Sequence, residues 1–251
     1  MEKYIDYLIK WLQDKVKETN AKGLIVGVSG GIDSAVVANL IKRAFPNDSL
    51  GLIMPCYSSD IDVEHAKIVA NDIGLDHKII NLDKTFDELI INQITPQIKE
   101  DDSFVLAKGN TKARLRMTTL YAVAQNYGYL VCGTDNACEW YTGYFTKYGD
   151  GGVDIAPLVQ LSKTQVYEIA RYFNIDEKII NKPPSAGLLS NQTDEEEMQV
   201  SYQELEAYMN NEKISLKAQE RIEFMHKISE HKRSVISYPE KKVSDIQWLV
   251  I

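Results

Sequence analysis

The sequence has only three cysteines, Cys56, Cys132 and Cys138, and no two of them form a CxxC pair. Structural zinc sites and disulfide frameworks need paired cysteines at short spacings, so we expect three reduced thiols. The chain also lacks an apolar run long enough to cross a bilayer. Its first residues lack the basic-then-apolar order of a signal peptide. These absences predict a cytoplasmic protein with no membrane partner.

Excess positive charge is missing as well. The 28 lysines and arginines are outnumbered by 36 aspartates and glutamates, which gives a net charge of −8. Nucleic-acid binding needs a basic surface for the phosphates, so this balance argues against a nucleic-acid partner. The 44% of hydrophobic residues is typical of globular proteins, and no repeat or flexible linker divides the chain. We therefore expect a single domain over residues 1–251.

Short apolar runs alternate with amphipathic stretches in the first half of the chain. The apolar runs predict strands at 24–28, 50–54, 78–82 and 129–133. The stretches between them predict helices at 33–45, 59–73 and 110–126, the last capped by Asn110. This alternation predicts an α/β fold, a Rossmann-like parallel sheet with helices on both faces. In such sheets, ligands bind at the carboxyl ends of the strands.

The last third of the sequence is predicted to be helical. Helices are expected at 162–173 and 216–228, and Thr193 with Glu196 fits a capping box for another. The acidic run 194–197 then lies in a first turn, where it favours the helix dipole, and we interpret it as structural. Two polar segments, 83–102 and 185–192, are predicted to be irregular and lid-like.

The first apolar run leads into the loop Ser29-Gly30-Gly31-Ile32-Asp33-Ser34 and then into a helix. Two glycines let the backbone approach an oxygen-rich ligand, and N–H groups at a helix N-terminus favour phosphate. The loop is not a Walker A motif, because no lysine follows the glycines. A carboxylate beside a phosphate needs a cation between them, so Asp33 predicts a Mg²⁺ ion shared with the phosphates.

Three later segments carry residues suited to charged ligands. Lys112, Arg114 and Arg116 fall in the first turns of a predicted helix, where positive charge is unfavourable unless an anion is bound. A solvated face with acidic neighbours explains that pattern equally well. Glu139 follows the fourth predicted strand and is a candidate second Mg²⁺ ligand, or simply a residue that favours a helix dipole. Residues 141–158 combine aromatics, glycines and charges, which suits a charged pyridine ring and its carboxylate.

The string SGGIDS resembles the pyrophosphate loop of the ATP-pyrophosphatase superfamily, whose members split ATP into AMP and pyrophosphate while adenylating a substrate oxygen. Further strings resemble the NAD synthetase family between residues 25 and 233, in family order. They are KARLRM, GTDNACE, GYFTKYGDGGVDIAPL, LSKTQ, PPSAGL and EHKR. TKYGDGG is the most specific of them and SGGxDS the least.

The resemblance implies a ligase that amidates deamido-NAD with ammonia through an NAD-adenylate intermediate. ATP is then a co-substrate and Mg²⁺ the cofactor. It also implies a homodimer. Some family members carry an amino-terminal glutaminase domain, but only a short helix precedes the loop here, so we expect free ammonia as the nitrogen source.

The resemblance also implies a set of site residues. The implied ATP contacts are Gly27, Val28, Ser29, Gly30, Gly31, Ile32, Asp33, Ser34, Thr134, Lys163 and Ser185. The implied Mg²⁺ ligands are Asp33 and Glu139, and the implied deamido-NAD contacts are Arg114, Lys147, Asp154, His231 and Lys232. Asp33, Lys147 and Asp154 are the candidate catalytic residues, with Asp154 as the group that takes a proton from ammonium.

Two other functions are compatible with the phosphate loop. Another ATP-pyrophosphatase, such as a tRNA thiolase, needs a reactive thiolate, for which Cys132 and Cys138 are candidates, and a basic RNA-binding surface. The acidic charge balance argues against that surface. A non-catalytic nucleotide sensor would bind ATP without needing Asp33 and Glu139 together.

Overall fold

The computed structural model describes residues 1–184 and 193–239. Within these ranges, four strands form one parallel sheet: β1 (Gly23–Gly27), β2 (Ser49–Ile53), β3 (His77–Ile79) and β4 (Tyr129–Cys132). Their order is β3-β2-β1-β4, with Leu24 of β1 opposite Ser49 of β2 and Leu130 of β4. The chain therefore builds outward from β1 to one side and then returns to the other side. The predicted Rossmann-like sheet is confirmed, and the point where strand order switches lies between β1 and β4.

Helices surround this sheet and make up most of the carboxyl-terminal part. They are α1 (Glu2–Thr19), α2 (Ile32–Ala44), α3 (Asp60–Asp72), α4 (Asp83–Phe86), α5 (Asp102–Tyr127), α6 (Ala137–Thr142), α7 (Lys163–Tyr172), α8 (Glu177–Ile180), α9 (Asp194–Met198), α10 (Tyr202–Met209), α11 (Leu216–Ile228) and α12 (Glu230–Arg233). Within the described ranges, no helix has both the length and the apolar character that a bilayer span requires.

The alternation of side chains along β1 explains why both faces of the sheet are covered. Leu24 and Val26 are buried in one apolar cluster with α1, α2, α3 and α7. Ile25 points to the opposite face and is buried in a second cluster with α4 and α5. A strand that is apolar throughout thus needs helices on both sides, as the sequence predicted.

The predicted start of α5 at Asn110 is wrong. The helix begins at Asp102, and the side chain of Asp101 caps it by accepting a hydrogen bond from the Phe104 N–H. Gly109, which precedes the predicted cap Asn110, is buried inside the helix. Lys112, Arg114 and Arg116 consequently lie well inside the helix, and the argument from an unfavourable dipole at its N-terminus no longer applies to them.

The prediction of an irregular segment at 83–102 is also wrong for most of its length. α4 continues directly into a π-helix (Asp87–Ile94) and a short 3₁₀ helix (Thr95–Gln97). Phe86 and Ile90 are buried in the second apolar cluster, and this pair, four residues apart, anchors one helical face. The other predicted lid, 185–192, lies outside the described residues.

A third apolar cluster joins α6 to α9, α10 and α11 and includes Cys138, Met198, Leu205 and Ile222. The predicted capping box of Thr193 with Glu196 is confirmed at the start of α9. Close backbone contact joins α6 to the end of α11: Gly143 ends α6 with φ 66°, and an added Cβ there would lie 2.2 Å from the Ser229 Cβ. The carboxyl-terminal helices are therefore packed against the helix that carries Glu139.

Gly143→Ala is expected to lower the free energy of unfolding by about 2–4 kcal/mol, because left-handed strain adds to overpacking. Gly74→Ala is the matched control, since Gly74 has φ 59° but an added Cβ there would meet nothing within 4 Å. The control should lose about 1–2 kcal/mol, from backbone strain alone. Urea unfolding of both variants measures the difference, and equal losses would show that contact with Ser229 contributes nothing.

Candidate active site

The predicted phosphate loop, residues 29–34, connects β1 to α2 and is held by internal hydrogen bonds. Gly30 has φ 77°, and an added Cβ would lie 2.6 Å from the Asp62 carbonyl oxygen, so only glycine fits against α3 here. The Ser34 hydroxyl donates to the Gly31 carbonyl at 2.9 Å and lies 3.0 Å from the Ser29 hydroxyl. The N-cap of α2 is Gly31, which has no side chain to cap the N–H groups of the first turn. The helix N-terminus is thus suited to an anion.

Asp33 and Glu139 meet across the switch point of the sheet. Asp33 follows the loop after β1, and Glu139 follows the loop after β4. The Lys163 ammonium, from the first residue of α7, lies 2.6 Å from Asp33 Oδ2 and 3.4 Å from Glu139 Oε1. Two carboxylates from opposite sides of the cleft therefore converge on one positive charge, as is needed to share a metal ion.

Asn136 holds both carboxylates in place. Its side-chain amide donates to Asp33 Oδ1 at 3.1 Å, and its backbone N–H donates to Glu139 Oε2 at 3.0 Å. The second bond is half of a capping box, in which the Asn136 side chain accepts from the N–H groups of Cys138 and Glu139. Asn136 is not among the residues predicted from sequence, although its place before a helix with glutamate three residues later is a capping signal.

Burial strongly perturbs the charges in this cleft. It raises the pKa of Glu139 to about 7, even though Lys163 acts in the opposite direction. Burial by itself would lower the pKa of Lys163, but the charges of Asp33 and Glu139 outweigh it and keep that pKa above its ordinary value. Burial, with the negative charges of Asp150 and Glu139, also raises the pKa of Asp135 well above the usual range. A concentration of buried acids around one lysine is typical of a functional site.

A second group of predicted residues gathers where α5, the 143–147 segment and α12 meet. Lys147 Nζ donates to the His231 carbonyl oxygen, and Arg114 donates to the Lys147 carbonyl oxygen at 3.3 Å. Lys232 Nζ donates to the carbonyl oxygens of Gly143 and Phe145, at 2.7 and 2.6 Å. The structure thus brings together four of the five residues implied to contact deamido-NAD, and these contacts join their side chains mostly to backbone.

Asp154 lies apart from both groups. Its Oδ2 accepts from the Val131 backbone N–H at 2.8 Å, and its Oδ1 accepts from the Tyr121 hydroxyl at 3.0 Å. Both bonds fix it beside the outer edge of β4. Each carboxylate oxygen thus accepts one hydrogen bond from the protein, and the two bonds fix the orientation of the side chain.

The remaining predicted contacts fall at the same end of the sheet or cannot be placed. Gly27 ends β1, and the Val28 N–H donates to the Leu52 carbonyl oxygen at 2.8 Å. Thr134 lies two residues after the end of β4 and is half-buried. Ser185 lies outside the described residues.

The cysteine thiols are poorly suited to nucleophilic chemistry. All three are buried and free. Burial raises the pKa of Cys138 to about 12 and raises that of Cys132 still further from its ordinary value. A reactive cysteine needs the opposite shift, so the structure offers no support for a thiolase that uses Cys132 or Cys138.

Comparisons with known proteins identify the family of this chain. The NAD synthase family model matches residues 4–236. The NH(3)-dependent NAD(+) synthetase of Carboxydothermus hydrogenoformans is 47% identical over 240 residues, which are 95% of this chain and 97% of that protein. The solved structure of NMN synthetase from Francisella tularensis superposes with a TM-score of 0.90 at 41% identity, over 96% of this chain and 98% of the other. That of NH3-dependent NAD synthetase from Campylobacter jejuni gives 0.79 at 29% identity, over 95% and 99%. The chain therefore belongs to the NAD synthase family.

Proposed function

We propose that this protein amidates deamido-NAD with ammonia, with ATP as co-substrate, and forms NAD, AMP and pyrophosphate. The observation that carries the proposal is the convergence of Asp33 and Glu139 on Lys163 beside the phosphate loop. An uncapped helix N-terminus for phosphates and two carboxylates for a metal ion are the parts that adenylation by ATP needs. The names of the curated relatives supply the product, NAD(+), and ammonia as the nitrogen source.

Mg²⁺ is the metal that we propose for this cleft. Within the described residues, no group of three or more His, Cys, Asp or Glu side chains could hold a metal ion. Mg²⁺ fits this limited donor set, because it takes one or two carboxylates, here Asp33 and Glu139, and completes its shell with waters and phosphate oxygens. When bound, it neutralises the negative charge that builds up on the phosphates.

The reaction proceeds in two steps. A nicotinate carboxylate oxygen attacks the α-phosphorus of ATP, and the bond from that phosphorus to the bridging oxygen breaks, releasing pyrophosphate. Loop N–H groups between Ser29 and Ser34, together with Lys163, stabilise the phosphate charge. Ammonia then attacks the carbonyl carbon of the acyl adenylate, a C–N bond forms, and AMP leaves with the electrons of the broken C–O bond. The nitrogen loses one proton to give the amide, and Asp154 is the proposed acceptor.

The remaining contacts complete the proposed substrate sites. ATP contacts are assigned to residues 27–34, Thr134, Lys163 and Ser185. Deamido-NAD contacts are assigned to Arg114, Lys147, Asp154, His231 and Lys232, with Lys147 facing the nicotinate carboxylate. The cluster of Arg114, Lys147 and Lys232 supports this assignment, because an anionic dinucleotide requires cations that are held in fixed positions.

A homodimer is part of this proposal. Five large apolar side chains between residues 89 and 106 are exposed: Leu89, Ile91, Ile98, Val105 and Leu106. Such a concentration of exposed apolar side chains in one segment favours an interface with another protein surface.

A second candidate substrate is the mononucleotide, nicotinate mononucleotide, which would yield NMN. The specific observation in its favour is the TM-score of 0.90 with NMN synthetase. Both substrates present the same carboxylate to ATP, so the catalytic cleft is the same for either. They differ in the adenylate half, which only the dinucleotide has.

Product analysis tests the proposal and separates the candidates. The protein is incubated with ATP, Mg²⁺ and ammonium, and with either deamido-NAD or nicotinate mononucleotide. We expect NAD, AMP and pyrophosphate in equal amounts from deamido-NAD, with a higher kcat/KM than for the mononucleotide. The reverse preference would identify NMN formation as the main activity. ATP binding without AMP formation from either substrate would contradict both and support a sensor.

A further inference from the structure

The hydroxyl of Tyr202 lies between the carboxylates of Glu139 and Asp194. Tyr202 is the first residue of α10, and its hydroxyl oxygen is 3.0 Å from Glu139 Oε1 and 2.9 Å from Asp194 Oδ2. Tyr202 is 7% exposed and Asp194 is 4% exposed. A hydrogen-bonded path therefore runs from the carboxyl-terminal helices to one of the two carboxylates that face Lys163. The acidic run was interpreted from sequence as structural, which left this contact unnoticed.

We propose that Tyr202, held at the start of α10, is a positioning residue whose hydroxyl donates to Glu139 and holds it in the orientation needed to bind the metal ion. The inference rests on the proposed function, in which Glu139 is a metal ligand. Glu139 Oε2 is already held by the Asn136 N–H, so the Tyr202 hydroxyl fixes the remaining oxygen. Hydrogen bonds to a ligating carboxylate set its direction, and their loss typically costs 10–100-fold in metal affinity or activity.

Tyr202 is itself held on several sides, as a positioning group must be. Its backbone N–H donates to Glu195 Oε1 at 2.8 Å, and a capping box of Ser201 with Glu204 fixes the start of α10. Its ring packs in the third apolar cluster, and the Lys163 ammonium lies 4.8 Å from the ring centroid. A side chain fixed in this way can impose its direction on a flexible glutamate.

Asp194 is also held in place by several contacts. Its backbone N–H donates to the Pro184 carbonyl oxygen at 3.1 Å, and its Oδ1 lies 3.2 Å from the Tyr144 hydroxyl oxygen. The Tyr144 hydroxyl donates to Glu197 Oε2 at 2.7 Å. Tyr144 thus contacts Asp194 as Tyr202 does, but its hydroxyl does not bond to Glu139. The two tyrosines form a matched pair for a test.

The test compares Tyr202→Phe with Tyr144→Phe, each of which removes one hydroxyl. The readout is Mn²⁺ binding, followed by electron paramagnetic resonance, in the presence of a non-hydrolysable ATP analogue. We expect Tyr202→Phe to weaken Mn²⁺ binding about 10–100-fold and to raise the Mg²⁺ concentration for half-maximal turnover by a similar factor. Tyr144→Phe should change either quantity less than about threefold, because it removes no bond to Glu139.

If Tyr202 has a purely structural role, Tyr202→Phe will lower the Tm but leave Mn²⁺ binding by the folded protein unchanged. Wild-type Mn²⁺ affinity in folded Tyr202→Phe, or an equal loss in Tyr144→Phe, would overturn the inference. If Tyr202→Phe does not fold, the same measurements are made on Tyr202→Met, which also removes the hydroxyl and should weaken Mn²⁺ binding at least about threefold. If the wild-type protein binds no Mn²⁺ in the presence of the nucleotide, the proposed function is overturned as well. If the wild-type protein binds Mn²⁺ but Tyr202→Phe shows no loss of affinity, only the role of Tyr202 is overturned.

Discussion

Asp33→Asn is expected to lower the rate of AMP formation by about two to three orders of magnitude. The substitution keeps the size of the side chain but removes the negative charge that faces Lys163 at 2.6 Å. The metal ion then loses one of its two proposed carboxylates, and the amide cannot replace the charge. Pyrophosphate release at saturating substrates measures the effect.

Asp62→Asn is the matched control for that experiment. Asp62 is also a half-buried aspartate paired with a lysine, Lys182, and its backbone lies against Gly30 of the phosphate loop. It does not contact Glu139 or Lys163, so its turnover should stay within about threefold of the wild type. Wild-type turnover in Asp33→Asn would remove Asp33 from the metal site.

Lys163→Met is expected to reduce turnover by about two to three orders of magnitude and, unusually, to strengthen Mn²⁺ binding to the nucleotide-free protein. In the structure the ammonium lies between Asp33 and Glu139, where it opposes the arrival of another cation. Without it, the two carboxylates repel each other in a buried cleft, which destabilises the metal-free fold by about 3–5 kcal/mol. Metal binding relieves that repulsion, so Mn²⁺ should raise the Tm of this variant more than that of the wild type.

Thermal unfolding with and without Mn²⁺ checks this prediction, with calorimetric titration for the affinity. Lys182→Met is the control, because it leaves one carboxylate, Asp62, without its lysine but leaves Asp33 and Glu139 unchanged. Its Mn²⁺ response should match that of the wild type. A Lys163→Met protein that binds Mn²⁺ more weakly than the wild type would show that Lys163 supports the metal site instead of opposing the ion.

The parts of the fold that were predictable are those with local causes. The strand β1 and the phosphate loop follow from an apolar run and two adjacent glycines, and Thr193 indicates the start of α9 through its capping box. The start of α5 was missed because Asn110 resembles an N-cap, whereas the helix is capped by Asp101 and continues through Gly109 at a cost of about 1 kcal/mol.

The parts of the site that were missed depend on contacts between distant segments. Tyr202 and Glu139 are 63 residues apart, and no periodic pattern connects them. Asp194 has the sequence context of a helix-dipole residue, and only packing against Tyr144 and Tyr202 buries it. Asp33 and Glu139 were found because each follows a predicted strand, and parallel strands bring their carboxyl ends to one edge.

The hydrogen bonds of Lys147 and Lys232 to backbone carbonyl oxygens affect how these lysines would bind an anion. Within residues 1–184 and 193–239, neither lysine takes part in an ion pair, and their hydrogen bonds go to neutral backbone oxygens. An incoming carboxylate or phosphate would thus replace a neutral carbonyl oxygen by a charged oxygen as the partner of each ammonium. No existing ion pair among the described residues would have to be broken. Lys163 differs in this respect, since its charge is already matched within the protein. In the part of the chain that the structure describes, the charges of Lys147 and Lys232 are therefore not matched by a carboxylate, whereas that of Lys163 is matched by Asp33 and Glu139.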